Sequence, residues 1–241
     1  MPVNQILRMK TNKFYKWLIE SPMVYYLYNR GSIIYDLCTK DSDIDFLCVV
    51  DKEFTLPEEF EEYKYENKRR RTFKFNIKCD NCDFIFFTTD EWFEKVTRGD
   101  LQAWECACLP KKFIHKEHVK LTMSTNPLQL RKDYEEHFDL GFLVAKQDFI
   151  DQNYNSWKKK LWEFIKELKF VNQIIENHKI VNFKEANFEY KTLVENDCID
   201  EESILKCWLD LIKLPNATLN KATDGMLAKE REKKIIQNGK K

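Results

Sequence analysis

The sequence predicts an α+β fold in two parts, a mixed sheet with flanking helices over residues 1–125 and a helical domain over 126–241 that ends in a charged tail. Three observations carry this reading. As far as Thr88 the chain is punctuated by short apolar runs, dense in aromatic and β-branched side chains and bounded by Gly, Pro, Asn and Asp, the pattern of strands and turns. From Pro127 onward apolar residues recur at helical spacing almost throughout. Strands first and helices after belong to separate layers or domains rather than to alternating βαβ units.

The elements follow in order. Residues 4–20 are amphipathic, with Ile6, Leu7, Phe14, Trp17 and Leu18 near helical spacing, and the helix stops before Ser21-Pro22. Residues 23–29 (MVYYLYN) read as a strand, which Gly31-Ser32 breaks into a tight turn and a short helix to about Leu37. Ile44–Val50 is a second strand, apolar on both faces and therefore buried. Strands follow at about 72–78 and at 82–88. Thr88 and Glu91 stand at capping-box spacing ahead of a helix through Arg98, with Gly99 as its C-cap, and Leu101–Leu109 forms a shorter helix before Pro110. Beyond Pro127 helices are expected over 128–152, 156–178, 184–195, 200–213 and 218–237.

Composition narrows the function classes. Charged residues make up 33% and hydrophobic ones 43%, the balance of a folded globular protein, and the formal net charge is zero, so any attraction to nucleic acid must come from a local patch. The stretch 64–78 is such a patch, with Lys68, Arg69, Arg70 and Arg71 at its centre. Its neutral reading is a solvated hairpin. No run approaches the roughly 20 apolar residues that span a bilayer, and no apolar leader opens the sequence, so a cytoplasmic protein with reduced thiols is expected. Of the 8 cysteines, Cys79 and Cys82 form C-x-x-C and Cys106 and Cys108 form C-x-C; zinc is the alternative use of these four, although C-x-C on a helix is a poor knuckle.

The chemistry concentrates in GSIIYDLCTKDSDID, residues 31–45. Alternate residues of a strand share a face, so Asp43 and Asp45 project the same way with Cα atoms roughly 6.5–7 Å apart. Two carboxylates that close stay ionised cheaply only around a cation, and oxygen ligands favour Mg²⁺ or Mn²⁺. Taken alone, D-x-D is as well read as a capped strand opening. Gly31-Ser32 adds a glycine where backbone can approach an anion and a hydroxyl that can donate to it, as a phosphate needs. Two-metal phosphoryl transfer requires a further carboxylate, and Asp83, set inside the apolar run CDFIFF, is the candidate, because a charge in such a run is costly without a cation or partner. His115 and His118 in KFIHKEH read as surface loop residues, and Trp104, Trp157 and Trp162 as core rather than base-stacking platforms.

This arrangement resembles the nucleotidyltransferase superfamily that includes DNA polymerase β, tRNA CCA-adding enzymes and antibiotic nucleotidyltransferases. It is most similar to the branch associated with RNA ligase and polynucleotide kinase in RNA repair, whose pattern is G-S-x-x-Y-G…S-D-x-D. The likeness extends through GDLQAWECACLP and through the helical stretch from Trp157 to Asn187. Three positions depart from the branch: Asp36 stands where it has a glycine, and Glu163 and Lys166 stand where it carries histidine and arginine.

The resemblance implies a polymerase-β-like palm followed by helices, and an enzyme that moves NMP from an NTP to a hydroxyl acceptor with loss of pyrophosphate. Asp43, Asp45 and Asp83 would hold Mg²⁺ or Mn²⁺, and Asp83 would also activate the acceptor hydroxyl. Gly31 and Ser32 would bind the β- and γ-phosphates, Lys159 and Lys166 would reach them from the helical domain, and Lys68–Arg71 would hold RNA, the expected acceptor. A small molecule or protein acceptor, or a catalytically silent module that binds nucleotide or RNA, are the alternatives.

Overall fold

The computed structural model describes residues 11–39, 42–65, 76–126, 128–134 and 150–195, together with 144, 147 and 148. The basic segment 68–71, the first ten residues and everything beyond 195 lie outside the described residues, and with them the expected helices at 200–213 and 218–237. The chain divides into two compact units, Met1–Arg98 with Gln102–Met123, and Gly99–Leu101 with Ser124–Lys241.

The first unit is built on a six-stranded sheet. Its elements are α1 (Lys13–Glu20), β1 (Val24–Arg30), α2 (Ser32–Tyr35), β2 (Ile44–Val50), α3 (Glu58–Glu61), β3 (Lys64–Tyr65), β4 (Asn76–Cys79), β5 (Cys82–Thr88), α4 (Thr89–Arg98), α5 (Leu101–Ala107) and, after a 3₁₀ turn at Lys111–Phe113, β6 (Ile114–Glu117). The strand order is β3-β4-β5-β2-β1-β6. The sheet is mixed: β2 and β5 run parallel at its centre, and every other pair is antiparallel.

Local chemistry accounts for these elements. Asn12 caps α1 by accepting from the Tyr15 N–H at 2.7 Å and, through its own amide, donates to the Cys79 carbonyl at 3.0 Å. The capping box ahead of α4 forms as expected, the Thr88 N–H donating to Glu91 at 2.9 Å and the Glu91 N–H to the Thr88 hydroxyl at 3.4 Å, and Gly99 ends the helix at φ 76°. C-x-x-C is a hairpin: Cys79 and Cys82 face each other across the β4–β5 ladder, and Asp80 and Asn81 turn between them at φ 48° and 60°, the double left-handed conformation of a two-residue hairpin loop.

Alternation along the two central strands separates the faces. Phe46, Phe84 and Phe86 face α1, whose Phe14 packs edge-on against Phe84 at 5.0 Å while Phe46 and Phe84 stack at 4.8 Å. The opposite face is covered by Trp92 of α4, which meets Tyr28 and Phe87. Burial on both faces is why β2 and β5 read as continuous apolar runs.

β6 corrects the sequence reading, which placed loop and helix after Pro110. Its four residues, IHKE, are half-buried throughout, too short and too polar to show a strand period, and β1 recruits them by main-chain pairing.

In the second unit residues 128–134 are helical, and α6 (Tyr154–Asn177) is its longest described element. Gln173 on α6 organises the return of the chain: its side-chain oxygen accepts from the Val181 and Asn182 N–H groups at 2.7 and 2.8 Å. The helix expected over 184–195 is a single α-turn, α7 (Asn187–Tyr190), continued by a π-turn over Lys191–Glu195. Among the described residues no helix is long and apolar enough to cross a membrane.

Candidate active site

Asp45 and Asp83 are register partners on the adjacent parallel strands β2 and β5. Such neighbours lie about 4.8 Å apart. Each is the second residue of its strand, and each is half-buried whereas the four residues after it are buried, so both carboxylates stand at the rim where the apolar sheet opens to solvent. Asp43 precedes β2 by one residue. The Ile44 N–H donates to the Asn81 carbonyl at 2.9 Å, which fixes the start of β2 against the β4–β5 turn.

The Gly31 turn approaches the same rim from β1. Arg30, the last residue of β1, is the register partner of Asp45, and Gly31 follows at φ 69°, ψ −156°, a backbone conformation open essentially to glycine alone. A Cβ built on Gly31 would overlap the Asp45 Oδ2 and lie 2.9 Å from its Cγ, so glycine is required here for space as well as for φ. Ser32 opens α2 and its carbonyl accepts from the Leu37 N–H at 3.0 Å. Asp36, where the resembling branch has glycine, closes this turn at φ 62°, ψ 34°. That is the left-handed conformation glycine favours and Asp tolerates.

A lysine not singled out by the sequence completes the cluster. Lys78, register partner of Asp83 on β4, donates to Asp43 Oδ2 at 2.7 Å. This hydrogen bond, helped by the charges of Asp43, Asp83 and Asp45 and opposed by partial burial, holds the ammonium above the usual lysine pKa. One cation thus senses all three carboxylates. The signal available in sequence was its spacing, five residues before Asp83 across a two-residue hairpin, but it reads as the end of a basic run.

Among the described residues no three His, Cys, Asp or Glu side chains stand close enough to cage a metal ion as they are, and Asp43 is bonded to Lys78 instead. The same holds for the two cysteine pairs as a zinc site. The donor chemistry of Asp43, Asp45 and Asp83, all carboxylate oxygen around a half-exposed rim, nonetheless fits a hard divalent cation.

The remaining candidates fall elsewhere. Lys159 is exposed on α6 in the second unit. Lys166 is 8% exposed, its ammonium 5.5 Å from the centre of the Trp162 ring and 5.9 Å from that of Phe170, rather than on a solvated helix face. Trp104, Trp157 and Trp162 are all buried, and Trp162 donates to the Ala186 carbonyl at 2.9 Å, a core role.

His115, read from sequence as a surface loop residue, lies on β6 and joins two elements of the first unit. Its Nδ1 accepts from the Tyr15 hydroxyl at 3.0 Å, and its Nε2–H donates at 2.7 Å to Oδ1 of Asn29, a residue only 1% exposed. Burial pushes its pKa down to about 4, so it stays neutral where a free histidine would charge. In the unfolded chain it titrates near 6.5, so the unfolded state binds the extra proton first. The stability it contributes is whole above about pH 6.5 and is lost as pH falls toward 4, up to about 3 kcal/mol. Urea unfolding at pH 7 and pH 4.5 should therefore show a smaller acid loss in His115→Gln than in the wild type; equal losses would refute the linkage.

No family model matches this chain, and no curated protein matches it. Among solved structures it is similar to a nucleotidyltransferase-like protein from Exiguobacterium sibiricum, with 12% identity and a TM-score of 0.34 over 95% of this chain and 80% of that one.

Proposed function

We propose that the chain is a metal-dependent nucleotidyltransferase that moves NMP from an NTP to a hydroxyl acceptor, with an RNA end as the preferred acceptor. One observation carries the reading: Asp45 and Asp83 lie side by side on parallel strands, with Asp43 two residues ahead and the Gly31 backbone packed on the Asp45 carboxylate. Ordinary sheet packing has no use for paired acids at that register, since like charges directly opposite destabilise it.

In this reading Asp43, Asp45 and Asp83 hold Mg²⁺ or Mn²⁺, which when bound supplies positive charge to the phosphate oxygens. Gly31 and Ser32 receive the β- and γ-phosphates. Asp83 accepts the proton of the acceptor hydroxyl as its oxygen bonds to the α-phosphorus; the α–β anhydride bond breaks, and pyrophosphate leaves with the bonding pair. The RNA preference rests on Lys68, Arg69, Arg70 and Arg71 and on the resemblance to the RNA-repair branch. Lys159 is the second unit's exposed candidate for a phosphate contact, with Lys166 its buried neighbour.

Incubation of the protein with each labelled NTP, Mg²⁺ and a pool of RNAs tests this. Label should move to RNA in the wild type and not in Asp43→Ala or Asp45→Ala. Transfer that survives both substitutions defeats the assignment. Nucleotide binding with no transfer to any acceptor would instead favour a silent binding module.

A further inference from the structure

Lys78 is the one exposed side chain of β4, and the strand is bonded on both sides, to β3 and to β5. Its charge therefore has no sheet edge to protect, the ordinary use of a strand lysine. It points instead at the carboxylate cluster. The contact to Asp43 is short, 2.7 Å, but open: the two side chains are 54% and 38% exposed. A surface pair of this kind contributes little to stability, and a lysine on its four-carbon stem swings to a new partner at small cost. An ammonium so placed is bonded to Asp43 and feels the charges of Asp45 and Asp83 as well.

Resting on the nucleotidyltransferase reading, we propose that Lys78 is an exchangeable counter-cation of the site, neutralising Asp43 in the unloaded protein, yielding that carboxylate to the divalent cation, and turning to a phosphate of the incoming triphosphate. Two opposite effects follow from one side chain. Before nucleotide arrives, Lys78 competes with the metal. Afterwards it adds a positive charge on the β4 side of the cluster, across from the Gly31 turn, where the phosphates bring negative charge.

Mn²⁺ alone and inorganic triphosphate serve as probes, because neither depends on which base the protein prefers. Lys78→Met should bind Mn²⁺ about tenfold more tightly than wild type in calorimetry, since a unit positive charge a few ångströms from the ion is removed. At saturating Mn²⁺ the same variant should bind triphosphate about fivefold more weakly, the loss of one charge-assisted contact. Lys78→Arg, which keeps the charge, should reverse most of both changes. Mn²⁺ affinity unchanged in Lys78→Met but lost in Asp45→Asn would overturn the role of Lys78 and leave the metal site standing. Mn²⁺ affinity unchanged in Asp45→Asn as well would overturn the site reading itself. Triphosphate bound as well or better by Lys78→Met would remove the second half of the proposal.

Discussion

Replacing Gly31 with alanine is expected to cost about 3 kcal/mol of stability and to lower the proposed nucleotidyl transfer about 100-fold or more. The stability loss has two sources. The backbone at φ 69°, ψ −156° is strained for any residue with a side chain. The new methyl would also overlap the Asp45 carboxylate, 2.9 Å from its Cγ and 3.3 Å from its Cβ. Rotation of Asp45 about its Cα–Cβ bond can move the oxygen and Cγ away, but the Cβ is fixed to the strand. The rotation carries the carboxylate off the face it shares with Asp83, which is why activity falls further than stability alone requires. A double-mutant cycle separates the two sources: in an Asp45→Ala background the overlap with Oδ2 and Cγ is gone, so Gly31→Ala should cost about 1–2 kcal/mol, leaving a coupling energy of about 1 kcal/mol or more. Strict additivity in urea unfolding would show that the carboxylate does not rest on Gly31.

Much of this site was legible because the strands that build it are buried on both faces. β2 and β5 are apolar without alternation, and a single aspartate at the second position of each stands out against that background. The pairing of those two aspartates was not legible. β2 and β5 are separated by residues 51–81 of the chain, and no local pattern in either strand specifies their parallel register. Lys78 was hidden for a different reason: its partner Asp43 is 35 residues away, and at the end of a stretch rich in lysine and arginine its charge looks like solubility. His115 illustrates the limit of periodicity. Half-buried positions on a four-residue strand carry no apolar signal, and what makes the histidine structural is its pair of partners, Tyr15 and Asn29, from elements far away in sequence. Asp36 adopts a left-handed angle that its residue type does not announce in sequence.

Asp83→Asn is expected to separate catalysis from folding most sharply. Asparagine keeps the size and shape of the side chain, so the sheet has no reason to rearrange. The substitution removes one of two negative charges at directly paired positions, and with it a repulsion that adjacent strands otherwise bear, so the metal-free protein should be as stable as wild type or more so by up to about 1 kcal/mol. Lys78 donates to Asp43 rather than to Asp83, and the attraction it loses to the Asp83 charge offsets part of the relieved repulsion. The proposed transfer should nevertheless fall on the order of 1,000-fold, because in that reading an amide would neither accept the acceptor's proton nor offer a charged oxygen to the cation. A divalent cation should also stop protecting the fold. Ligand at 100 times its Kd stabilises a protein by about 2.7 kcal/mol, and the rise in melting temperature that Mn²⁺ gives the wild type should shrink to a small residue in Asp83→Asn. The decisive pattern is a variant that melts no lower than wild type without metal, gains little from Mn²⁺ and transfers almost no label. If Asp83→Asn instead melts several degrees lower without metal, Asp83 is a structural acid whose hydrogen bonds hold the β4–β5 hairpin, and the paired carboxylates are not kept for chemistry.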